Sequence, residues 1–108
     1  MNFAERLAGL PATDHLAGID LSGPDGANAR LDNVPGSQGS VRVYAYLLDR
    51  HGVLDAAAAA EGLALYAEHA ADARAHPGKH PNIDRLLAIA AGGGSWQGRL
   101  KKIPEPNS

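Results

Sequence analysis

Between Leu16 and Ser22 the chain alternates, with Ala17, Ile19 and Leu21 on one side and Gly18, Asp20 and Ser22 on the other. This period of two is the mark of a half-buried strand. Gly23-Pro24-Asp25-Gly26 follows as a turn, because proline presets its own φ and the second glycine tolerates φ above zero. Asn28 to Val34 alternates again, setting Ala29 and Leu31 against Arg30 and Asp32, so the two runs predict a hairpin. A third alternating run, Ser95 to Ile103, sets Trp96, Gly98 and Leu100 against Gln97, Arg99 and Lys101. Lys101 and Lys102 shift that alternation before Ile103, where a bulge or strand end is expected.

Elsewhere the apolar spacing is helical. Phe3, Leu7 and Leu10 recur at helical intervals, Asn2 and Glu5 have capping-box spacing, and Pro11 stops the pattern. Pro35 to Ser40 leads into a helix over Val41 to His51, with Ser40 as N-cap, Gly52 as its end, and Val41, Val43, Tyr44, Leu47 and Leu48 on one arc. Asp55 caps the longest predicted helix, which runs unbroken to His76 with Ala59, Leu63, Tyr66, Ala70 and Ala73 as its core stripe. Pro77-Gly78 ends it. A further helix starts near Pro81 or Asn82, buries Ile83, Leu86, Leu87, Ile89 and Ala90, and stops at Gly92-Gly93-Gly94. These elements predict an α+β fold: a small three-stranded antiparallel sheet, hairpin plus C-terminal strand, packed against about three helices and a short N-terminal helix. Residues 1–103 form one domain in this reading, and 104–108 a tail.

Composition narrows the function classes. A chain of 108 residues with a formal net charge of -2 carries no general field for nucleic acid or anionic lipid, and only Arg99, Lys101 and Lys102 cluster. With no cysteine, disulfides, thiolate nucleophiles and Cys-ligated zinc are excluded. Met1 to Leu10 lacks the basic start and continuous apolar run of a signal peptide, and no segment approaches the roughly 18 apolar residues of a membrane span. The reading is a soluble cytoplasmic protein that binds neither nucleic acid nor membrane.

Candidate chemistry concentrates at one junction, where three of the five histidines fall between His69 and His80. On the long helix Glu61, Glu68, His69, Asp72 and His76 share a polar arc, while Arg74 projects to the other side. Like charges at such spacing destabilise a helix, so the arc is expected to be offset by Arg99, Lys101, Lys102, a partner or a cation. His69, Asp72, His76 and His80 form a candidate metal set, since imidazole and carboxylate suit zinc, nickel, iron or manganese. His69 and His76 lie two turns apart, about 10 Å along one axis, so Asp72 and His76 with either His69 or His80 make the better subset. A structural turn explains the same residues: imidazole near free carbonyls at His76, a helix stop at Pro77, and capping of the next helix by His80 or Asn82. Ser37, Gly39 and Ser40 precede a helix with flexible glycines and are the candidate anion site, capping being the simpler role. Tyr46, Leu65 and Trp96 would mark a partner surface if they formed one exposed patch.

Leu-Tyr-Ala-Glu-His at 65–69, Pro-Gly-Lys-His-Pro-Asn-Ile-Asp-Arg-Leu-Leu at 77–87 and Pro-Gly-Ser-Gln-Gly-Ser at 35–40 together resemble a family of short bacterial proteins known only as a domain of unknown function. The resemblance implies a stand-alone bacterial domain and transfers no activity, cofactor or catalytic residue. The function expected is a non-enzymatic interaction or regulatory module, working with a protein partner or by self-association. The alternative is a small metal- or anion-binding protein using the junction residues.

Overall fold

The computed structural model describes residues 1–104; the last four residues of the expected tail lie outside the described residues. Strand β1 (Leu16–Ser22) is the middle of a three-stranded antiparallel sheet, with β2 (Asn28–Asp32) on one side and β3 (Gln97–Lys102) on the other. Ile19 pairs with Leu31 and with Leu100, and Leu21 with Ala29 and Gly98, so the apolar positions share the face that meets the helices. Between the strands, Pro24–Gly26 forms a single 3-10 turn in which Asp25 as well as Gly26 has positive φ.

The irregularity expected at Lys101 and Lys102 is present, but the extra residue belongs to β1. Leu16 pairs with Lys102 and Gly18 with Lys101, leaving Ala17 as the bulge. Leu16 therefore goes fully into the core, with Ala17 half-buried. Strand β2 ends before Val34, which is exposed: Asn33 donates its amide to the carbonyls of Thr13 (2.9 Å) and Leu16 (2.8 Å), and the chain turns outward. On the polar face Arg30 bonds Asp20 and Asp32, each at 2.7 Å, and its guanidinium lies over Gly18.

Helix α1 (Phe3–Ala8) carries the complete capping box between Asn2 and Glu5. Helix α2 (Gln38–His51) begins three residues before the expected start, so Ser37 and not Ser40 occupies the N-cap position; its C-cap Gly52 is left-handed as expected. The earlier start follows from a turn in which Ser37 N–H bonds the Val34 carbonyl while its hydroxyl donates to the carbonyls of Asp32 (2.5 Å) and Val34 (3.2 Å).

The long helix is two helices, α3 (Ala56–Tyr66) and α4 (Glu68–Ala75), because Ala67 adopts φ 53 and ψ -120. Asp55 caps the first as predicted, accepting from the Ala58 amide at 2.9 Å. Of the expected stripe, Ala59, Tyr66, Ala70 and Ala73 are buried and Leu63 half-buried. Small residues here admit close neighbours: a Cβ on Gly62 would lie 2.7 Å from Leu47 Cδ1 of α2 and Leu86 Cδ1 of α5 (Pro81–Ala90). Helix α5 buries Ile83, Leu86 and Ile89, whereas Leu87 is half-buried and Ala90 exposed, a narrower stripe than expected. Five helices, not four, therefore accompany the sheet among the described residues, with α2 the one closely packed on β1 and β2 and the others packed chiefly on one another.

Two substitutions test this packing. Ala67→Gly should raise stability by about 1 kcal/mol, since left-handed backbone at a non-glycine residue costs about 1–3 kcal/mol and glycine recovers most of it; a lower denaturation midpoint would contradict the break. Gly18→Ala should cost about 2 kcal/mol or more, because its Cβ would run into the Leu31 carbonyl, which the sheet holds in place. Chemical denaturation with an unchanged slope and a lower midpoint is the expected reading.

Candidate functional site

Two helices that start in different parts of the chain face one cleft. The first turn of α2 supplies Gln38, Gly39 and Ser40, and the start of α5 supplies Pro81, Asn82 and Ile83. Phe3 and Leu7 of α1 close one side, Tyr66 the floor, and His69, Lys79 and His80 the remaining wall, enclosing about 490 Å³. The segments at 35–40, 65–69 and 77–87 are thus neighbours in space.

Aromatic packing shapes the cleft. Phe3 stacks on Tyr66 at 5.3 Å between ring centroids and meets the edge of His69 at 5.0 Å. The Phe3 position is fixed from behind by Glu68, whose Oε1 accepts the Phe3 N–H at 2.7 Å. That bond is the first cause holding the Glu68 carboxyl below its ordinary range. Tyr66 is buried and donates its hydroxyl to Ser40 Oγ at 2.7 Å, tying α3 to the first turn of α2; burial pushes its phenol up.

Beside the cleft, Asp72 gathers three basic side chains. His80 Nε2 stands 2.6 Å and Lys79 Nζ 3.0 Å from Oδ2, and His76 Nδ1 stands 3.2 Å from Oδ1. The His80 contact first, then Lys79, holds the Asp72 carboxyl well below the usual carboxylate range. The third acid of the arc, Glu61, accepts from Arg50 (2.9 Å) and the Tyr46 hydroxyl (2.9 Å) and lies 2.7 Å from His51 Nε2; the His51 contact is the leading cause of its lowered pKa. Glu61 and Asp72 are therefore paired with basic neighbours of their own and Glu68 is held by the Phe3 amide, while Arg99, Lys101 and Lys102 take no part in these contacts among the described residues.

Of the candidate metal set, Asp72, His76 and His80 converge, while His69 is turned to Phe3 with its ring 5.9 Å from that of His80. Among the described residues no group of three or more His, Cys, Asp or Glu side chains is placed to hold a metal ion. His80 occupies the N-cap position of α5 without capping it, its ring being committed to Asp72. Of the candidate anion set, Gly39 and Ser40 line the cleft; Ser37 lies behind it with its hydroxyl spent on carbonyls. Lys79, Phe3 and Tyr66 complete the cleft without having been assigned to it from sequence. Tyr46, Leu65 and Trp96 form no exposed patch: each is half-buried against the core, and Trp96 packs over Gly23 with Arg85 5.3 Å above its ring.

The family model described as an uncharacterized protein conserved in bacteria (DUF2322) matches residues 3–100. The chain belongs to the DUF2322 family. Comparison with curated proteins and with solved structures gives no match. The DUF2322 match takes in every residue lining the cleft, from Phe3 to Ile83. Among its described residues no helix is long and apolar enough to cross a membrane.

The Asp72 cluster has a pH signature. Its folded pKa lies below the unfolded value of about 3.9, so the stabilisation is complete above that value and is lost as pH falls towards the folded pKa. Asp72→Asn should melt below the native chain at pH 7, the gap narrowing steadily below about pH 4. An equal gap at pH 3 and pH 7 would exclude the ion pairing.

Proposed function

We propose that this DUF2322 chain is a non-enzymatic binding module whose cleft takes a small ligand bearing a phosphate or carboxylate on an aromatic or apolar body. One observation carries the reading. Because Ser37 uses its hydroxyl as a donor to Asp32 and Val34, the first amides of α2, at Gln38, Gly39 and Ser40, have no protein acceptor among the described residues. Those same three residues line the cleft that Lys79, His69 and His80 also line. Unpaired amides at a helix start attract anions through their N–H groups and the helix dipole. The ammonium of Lys79 has three donors, of which Asp72 takes one, and the Phe3–Tyr66 stack offers an apolar wall for the rest of the ligand.

The metal alternative is less well supported. Asp72, its one carboxylate, is already matched by Lys79, a cation that a metal ion would have to displace, and His69 faces phenylalanine.

The test is a titration of isotope-labelled protein with phenyl phosphate, with inorganic phosphate as the comparison. Saturable amide shifts at Gln38, Gly39 and Ser40 are expected, with phenyl phosphate the tighter of the two, and Lys79→Ala should weaken it by about tenfold, or ~1.4 kcal/mol. Shifts that fail to saturate, or a Lys79→Ala chain that binds equally well, would end the proposal. Saturable zinc binding at His80 with no response to either phosphate would transfer the site to the metal reading.

A further inference from the structure

On the far side of the sheet from β2, strand β3 pairs with β1 along one edge and with no strand along the other. Apart from half-buried Gly98, every residue of β3 is exposed, Leu100 at 41% and the following Ile103 at 53%. Such an edge presents a row of N–H and C=O groups already set for pairing. Immediately before it, Trp96 forms a two-bond antiparallel bridge with Leu54, at 2.8 and 3.0 Å.

The side chains along this edge divide into two rows. Leu100, opposite Ile19, belongs to the apolar row and borders a cavity of about 250 Å³ whose walls include Pro11, Leu16, Ala45 and Tyr46. Arg99 and Lys101, opposite Asp20 and Gly18, belong to the polar row. The nearby carboxylates offer them little, since Asp20 and Asp32 are both bonded to Arg30. Among the described residues Arg99, Lys101 and Lys102 form no ion pair, in a chain whose net charge is -2.

We infer that the open edge of β3 docks an extended peptide in which acidic and apolar residues alternate, added to the sheet as a fourth strand. Main-chain bonds to the free edge supply affinity. Alternate side chains supply selectivity, the apolar ones towards the cavity beside Leu100 and the acidic ones towards Arg99 and Lys101. A second copy of the chain is the poorer occupant, because antiparallel pairing of two such edges brings Arg99 and Lys101 of one against the same cations of the other, and like charges across strands repel. The docking edge is independent of the cleft at the α2 and α5 starts.

The experiment is an amide-shift and hydrogen-exchange titration of the whole chain with an end-blocked peptide of alternating Glu and Val. The controls are the same peptide with Lys for Glu and a single-stranded oligothymidylate. Saturable shifts and slowed exchange confined to residues 97–103 and the wall of the adjacent cavity are expected, with the Lys peptide silent. The double variant Arg99→Glu, Lys101→Glu should bind about tenfold more weakly, as loss of close charge pairs does. Leu100→Ser should also weaken binding while keeping the charges, which separates docking from general attraction should the charge variant fail to fold. Equal binding of the Lys peptide, shifts mapping elsewhere, tighter binding of the oligothymidylate, or dimerisation through the edge in place of peptide binding would each overturn the inference.

Discussion

Ala67 decides where the chemistry of this chain sits. In a continuous helix from Ala56 to Ala75, Glu68, His69 and Asp72 would follow the register set by Tyr66 and lie along one outer face. A left-handed residue between Tyr66 and Glu68 breaks that register. Tyr66 then points into the core to reach Ser40, while Glu68 takes the Phe3 amide and Asp72 meets His80 and Lys79. Backbone strain of this kind persists only where the surroundings impose it, and here contacts on both sides do so. Without the break, the cleft would lose the wall that joins α1 to the start of α5.

A second consequence concerns charge. Each carboxylate of the acidic arc is matched by a group from a different element: Glu61 by the end of α2, Glu68 by the start of α1, Asp72 by the loop before α5. These contacts are mostly at the surface, where individual pairs contribute little to stability, so their value is positional. They fix how α1, α2 and α5 meet around the cleft, and they leave the basic residues of β3 without an internal acid. The same allocation that closes the helical side therefore leaves the sheet edge positively charged.

Much of the framework was legible because it is written in local pattern. Alternation at 16–22, 28–34 and 95–103, within which the three strands lie, the capping box at Asn2 and Glu5, the Asp55 cap and the glycine at 52 each act within a few residues. The misread positions depend on distant partners. No glycine or proline marks Ala67, because its conformation is enforced by Phe3, Ser40 and the core. Ser37 displaces Ser40 at the start of α2 because its hydroxyl serves carbonyls at the end of β2, and Ala17 bulges because β3 arrives from the far end of the chain. Of the polar residues lining the cleft, sequence singled out Ser40, His69 and His80, in two separate candidate groups, but their meeting is a tertiary fact. Lys79 lies within the 77–87 segment and Phe3 opens a helix; neither residue type signals a cleft until the fold sets Phe3 on Tyr66 and Lys79 beside Asp72.

The arrangement of α1 follows from the same economy of contacts. This helix has six residues and buries none of them, so its own propensity cannot hold it against the body of the protein. What holds it is Phe3, through ring contacts with Tyr66 and His69 and its amide on Glu68, together with Leu7, which packs against the core one turn on. Gly39 makes room for it: a Cβ there would stand 3.3 Å from the Phe3 ring, tighter than an ordinary contact. Glycine at the second position of α2 thus serves the packing of α1 as well as the exposure of helix-start amides. The anchoring of the N-terminal helix and the shape of the cleft are one structural problem, and Phe3 is its common term.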